Sequence, residues 1–91
     1  MEIKYAPKNK DLHSKRIGYC YPTSPRASYF GAEGIGCYFL TFNGDNAHTG
    51  PFASLKDAEE FADSSYPNVK YDYWSLRSEK GMEEFNKRKE S

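Results

Sequence analysis

From Cys37 to Phe42 the chain carries no charge, and beyond it the repeat of apolar positions changes from two residues to 3.6. Cys37-Tyr38-Phe39-Leu40-Thr41-Phe42 is bulky and β-prone. Alternation puts Tyr38, Leu40 and Phe42 on one face and Cys37, Phe39 and Thr41 on the other. Neither face is polar, so the segment reads as a strand central in its sheet. Asn43-Gly44 supplies the positive φ of a tight turn. Asp45 to Thr49 then returns briefly or forms a loop, and Gly50-Pro51 reads as a second break. From Leu55 the period is helical. Leu55, Ala58, Phe61 and Ala62 share one face, and Lys56, Glu59, Glu60 and Asp63 the opposite one. Ser54, with Asp57 three residues on, is the predicted N-cap of a helix running to about Ser64.

The flanking patterns are shorter. Ile17, Tyr19 and Tyr21 alternate as one face of a strand that Pro22 to Pro25 ends. Ala27 to Phe30 reads as a second short strand, and Gly31, Gly34 and Gly36 as a bend. Val69 to Trp74 alternates, with Val69, Tyr71 and Tyr73 on one face and Lys70, Asp72 and Trp74 on the other. Ser78 to Gly81 opens a last helix whose large apolar residues are Met82 and Phe85. Glu83 with Lys87 and Glu84 with Arg88 are predicted i,i+4 pairs. Gly81 lowers helix stability by about 1 kcal/mol relative to Ala, so a weakly docked, fraying helix is expected. Ile3 and Tyr5 alternate with Glu2 and Lys4 as an edge strand, and Lys8 to Arg16 reads as a mobile arm or exposed loop. The predicted fold is α+β: a small antiparallel sheet of three to five strands, the Ser54–Ser64 helix packed across one face, and a second helix at the C-terminus. Residues 1–16 form a basic flexible arm or edge strand, 17–76 the core, and 77–91 the C-terminal helix.

Composition makes this core aromatic. Eight Tyr, six Phe and one Trp stand against few aliphatics, so rings of roughly 150–250 Å² each must do most of the burying. The 13 basic and 13 acidic residues balance, which favours folding over disorder and argues against a dedicated duplex-DNA binder. The charge is uneven. Residues 1–16 hold five basic and two acidic groups, whereas 17–75 hold three and seven. The N-terminus lacks the apolar stretch of a signal peptide and no run is long enough to span a membrane, so the expected compartment is the cytoplasm.

Catalytic chemistry finds little footing. Cys20 and Cys37 are the only cysteines, read as reduced thiols on strands. His13 and His48 have no carboxylate at ligand spacing. Gly31 to Gly36 is neither a dinucleotide fingerprint nor a Walker loop, and no G-x-S-x-G elbow occurs. The expectation is a protein that is not an enzyme and has no catalytic residue, metal or cofactor. Recognition is better supplied. Glu59, Glu60 and Asp63 are expected to cluster outward with little basic neutralisation nearby, which suits a protein partner with a basic surface. Trp74, alternating with Asp72 and Lys70, is a candidate apolar anchor. The predicted function is a non-catalytic protein-binding module with Glu59, Glu60, Asp63 and Trp74 as its partner-binding residues. The alternative is a nucleic-acid-binding module that uses exposed Tyr and Trp with Lys4, Lys8, Lys10, Lys15 and Arg16 of the arm.

Two resemblances bear on this. Phe39-Leu40-Thr41-Phe42 is similar to the end of the RNP1 stretch of RNA-recognition motifs, with Ile35 and Cys37 where that pattern has its basic and aromatic residues. Gly50-Pro51-Phe52-x-Ser54-x-x-x-Ala58-x-x-Phe61, after an aromatic strand, resembles a strand-to-helix joint of small accessory proteins of phages and mobile elements. That likeness implies binding to, and inhibition of, a host enzyme or nucleic-acid-handling complex, with no catalytic residues to transfer.

Overall fold

The computed structural model describes residues 3–90; the Glu2 position of the predicted edge strand lies outside them. Three strands, β1 (Ser14–Cys20), β2 (Cys37–Asn43) and β3 (Asp45–Phe52), form an antiparallel sheet in the order β1-β2-β3. Three helices accompany it: α1 (Pro25–Tyr29), α2 (Leu55–Ser65) and α3 (Glu79–Glu90). The α+β class, the central place of β2 and the turn at Gly44, with φ of 116°, are as the sequence predicts. No helix among the described residues is long and apolar enough to cross a membrane.

Period-two alternation gives the sheet two different coats. Ile17, Leu40, Phe42 and Phe52 pack with Ala58 and Ala62 of α2 and with Leu76. Ser54 Oγ accepts from Asp57 N at 3.1 Å and fixes the start of α2. On the outer face Cys20, Cys37 and Phe39 pack under Ala27, Phe30 and Ala32. That second coat corrects the strand predicted at Ala27 to Phe30. Ser24 Oγ accepts from Arg26 N and Pro25 occupies the first helical position, so a short helix starts there.

Both sheet edges are covered. Lys4 pairs with Gly50 on β3, Lys4 N donating to Gly50 O at 2.7 Å. Gly50-Pro51 therefore continues β3 rather than breaking it, and the proline sits on an edge strand, where its missing N–H is tolerated. On the other edge, residues 70–76 run along β1: Lys15 N donates to Lys70 O, Asp72 N to Lys15 O and Leu76 N to Ile17 O. The strand predicted from Val69 to Trp74 reduces to one parallel bridge, Tyr71 with Lys15. Asp72 Oδ1 captures Trp74 N at 2.8 Å and turns the chain away. Ser75 Oγ then accepts from Ile17 N.

The basic arm also needs correction, since Ser14, Lys15 and Arg16 belong to β1 and Lys15 is 3% exposed. Gly81 is buried, and a Cβ there would stand 1.9 Å from Ser75 O, so α3 docks by close backbone approach. Ser78 Oγ accepts from Gly81 N at the start of α3, while Met82 and Phe85 pack on the α2-side core. The ion pair Lys80–Glu84 at 3.8 Å lies along α3, whereas Glu83 and Lys87 stay apart.

Candidate functional site

The four residues expected to meet a partner are not on one surface. Glu59 and Glu60 lie on the outer side of α2, half-buried and exposed respectively, with no ion pair to any described residue. Asp63 is engaged internally. It accepts from Tyr71 Oη at 2.6 Å, takes Arg77 Nη1 on both carboxylate oxygens at 2.7 and 2.8 Å, and lies 4.0 Å from Lys15 Nζ. The Tyr71 hydrogen bond, then Arg77 and Lys15, hold its carboxyl below the usual range against a desolvation that opposes them. The premise that this acid lacks nearby neutralisation is thus corrected: its cations come from β1 and from the segment after Trp74, far away in sequence.

Trp74 stands elsewhere, on the segment that runs along the outer edge of β1. It lines a cleft of about 360 Å³ with Arg16, Gly18, Tyr21, Arg26 and Phe39, and a second with His13, Lys70 and Tyr73; neither includes Glu59, Glu60 or Asp63. Tyr73 and Trp74 are 66% and 48% exposed, with ring centroids 5.4 Å apart at 83°. Their backbone is nonetheless fixed. Asp72 holds Trp74 N, Ser75 N donates to Asp72 O, and Ser78 Oγ donates to Tyr73 O. Asp72 Oδ1 also receives Arg16 Nη2 at 3.2 Å, so one carboxylate positions the indole and a guanidinium together. The Trp74 amide and then Arg16 keep this acid below its ordinary pKa.

The outer sheet face continues this surface. At Gly18 a Cβ would meet the Phe39 ring at 2.9 Å, so glycine there lets the ring lie across β1. Arg26 sits over that ring at 5.5 Å. Within the same cleft, Tyr21 Oη is buried without a hydrogen-bond partner among the described residues. The sequence named Arg16 only as part of a basic arm for nucleic acid, and Asp72 and Tyr73 were missed as contributors. The available signal was Asp72 two residues before Trp74, the spacing of a side-chain turn.

Reactive groups do not assemble. Cys20 and Cys37 face each other at the last β1–β2 pair as free thiols. Burial, then the neighbouring Cys20, pushes the Cys37 thiol up to about 11, so it is protonated near neutrality and a poor nucleophile. His48 lies on β3 rather than in a loop, its Nδ1 3.1 Å from Asn46 O. Among the described residues no three of His, Cys, Asp or Glu come together as a metal site.

No protein-family model, curated protein or solved structure matches this chain.

Proposed function

We propose that the chain is a non-catalytic protein-binding module whose recognition surface is centred on Trp74. The observation that carries this is an exposed indole and phenol on a turn locked by Asp72 and Ser78. Folding gains little from exposed rings, whereas binding gains from rings already held in place, because less freedom is lost on association. Trp, Tyr and Arg are also the residue types that dominate interface energetics, and Arg16 stands beside Trp74 through their shared acceptor.

A second reading keeps the acidic side of α2, because Glu59 and Glu60 have no ion pair among the described residues. Those two acids would dock on a protein with a basic surface.

Quantitative pull-down from the source cell separates the readings. Trp74→Ala is expected to retain the wild-type melting temperature and to lose the captured partner at least tenfold. Glu59→Lys with Glu60→Lys is expected to keep it. The reverse outcome would move the interface to α2. Sub-micromolar binding of a single-stranded oligonucleotide at physiological salt, lost in Trp74→Ala, would replace the protein partner with nucleic acid.

A further inference from the structure

A different cleft opens at the end of the sheet where β2 begins and β3 ends. It has a volume of about 420 Å³, within the range of small-molecule sites. Phe30, Ala32, Ile35, Pro51 and Phe52 line it, together with Lys4 and Tyr19. Among the described residues no acidic side chain lines it. Ile35 is 76% exposed, the most exposed large hydrophobic residue among those described.

Two of the residues that line this apolar space carry hydrogen-bond donors. Lys4 is anchored by both backbone bonds to Gly50, at 2.7 and 3.2 Å, and has no ion pair with a described residue. The Tyr19 hydroxyl lies directly under Gly36, where a Cβ would come within 2.5 Å of it. It makes no hydrogen bond to a described residue. Gly36, with φ of +83°, thereby leaves room for the phenol to face the cleft.

We propose that this cleft binds a small apolar monocarboxylate. The alkyl or aryl body lies among Phe30, Ile35 and Phe52, and the carboxylate takes the Lys4 ammonium and the Tyr19 phenol. An apolar lining sets affinity, and a lone cation with a neutral donor selects an anion over an alcohol or an amine.

Amide chemical-shift titration of the whole chain tests this with octanoate, octan-1-ol and octylamine at pH 7, each below its aggregation limit. Octanoate is expected to saturate with shifts centred on Ala32, Ile35, Gly36 and Phe52, and to bind at least tenfold more tightly than the alcohol. Lys4→Gln should bring octanoate to the alcohol's affinity and leave the alcohol unchanged. Ile35→Asp should weaken both. Both side chains are exposed, so wild-type melting is expected of each variant. Equal affinity for acid and alcohol, preference for the amine, or shifts that centre on Trp74 would each overturn the assignment, as would failure of octanoate to saturate.

Discussion

The ammonium of Lys15 lies 2.7 Å from the carbonyl oxygen of Tyr66 and 3.0 Å from that of Ala62, so a buried lysine on β1 caps the C-terminal end of α2. The last carbonyls of a helix lack intrahelical donors and carry the negative end of its dipole. Burial lowers the Lys15 pKa, the nearby Asp63 opposes that shift, and the Tyr71 ring lies 4.5 Å from Nζ. Lys15→Ala should therefore cost about 3 kcal/mol, since it removes the charged donor from two carbonyls that keep only the Tyr66 and Val69 amides and leaves a void between strand and helix. Lys15→Met keeps the stem and should cost less. Urea unfolding of the two variants measures the difference. A Lys15→Ala protein as stable as wild type would show that the cap contributes nothing.

Helix propensity and packing make opposite forecasts at Gly81. Alanine would strengthen an isolated helix by about 1 kcal/mol. Here its Cβ would enter the Ser75 carbonyl at 1.9 Å, a backbone atom with no freedom to yield. Gly81→Ala is expected to destabilise by about 1–3 kcal/mol, as overpacking does. It should also loosen α3 from Tyr19, whose ring meets Phe85 edge-on at 5.6 Å. Thermal melts and the Phe85 ring resonances would report it. A rise in melting temperature would mean that α3 does not dock through this glycine.

β2 and α2 were legible because their apolar repeats are long enough to distinguish a period of two from 3.6, and because Ser54 with Asp57 marks a helix start. The five residues of α1 are too few to show a period; Ser24-Pro25 was the only local sign. Residues 69–74 alternate as a strand would, yet the Asp72 side chain outcompetes the ladder for the Trp74 amide. Lys15 and Arg16 read as an arm because charge suggests solvent, and the two carbonyls that make a buried lysine tolerable come from residues some fifty positions later. For the candidate surface, the exposure of Trp74 was readable from its polar neighbours at alternate positions. Its pairing with Arg16 was not, because it depends on how residues 70–76 register against β1.

Alkaline pH should unfold this protein earlier than its charge balance suggests. Buried in the outer-face core, the Cys37 thiol is raised from 9.0 to about 11. The folded state then holds a proton that the unfolded state releases above pH 9. The stabilising contribution is full below pH 9 and is lost as pH rises to about 11, by roughly 2–3 kcal/mol in all. Tyr71, raised to about 12 first by burial and then by its bond to Asp63, adds a loss that begins above pH 10. Cys37→Ala should flatten the fall in urea midpoint between pH 9 and 11, leaving the part that Tyr71 adds above pH 10. An unchanged slope in that variant would assign the alkaline transition to the tyrosines alone.

The acids of α2 should separate by variant, because their surroundings differ although they share a helix face. Asp63 holds Arg77 and Tyr71 and lies near Lys15, so three residues from β1 and the 70–78 segment converge on it. Asp63→Lys would set a third cation beside Lys15 and Arg77 and remove the acceptor of the Tyr71 hydroxyl. The carboxylate is half exposed, so solvent screening limits the loss; about 1–2 kcal/mol, or 5–10 °C in melting temperature, is expected. Glu59→Lys with Glu60→Lys meets no such network and should melt within a degree or two of wild type. The pH dependence must agree in sign. The Tyr71 hydrogen bond, ahead of Arg77, depresses the Asp63 pKa below 3.8, so its contribution is present above that value and fades as pH falls through the depressed one. Asp63→Asn should therefore narrow its gap to wild type on acidification below pH 3.8. Equal melting temperatures for Asp63→Lys and the double glutamate variant would show that Asp63 is as solvated as its neighbours, and would return it to the candidate docking face.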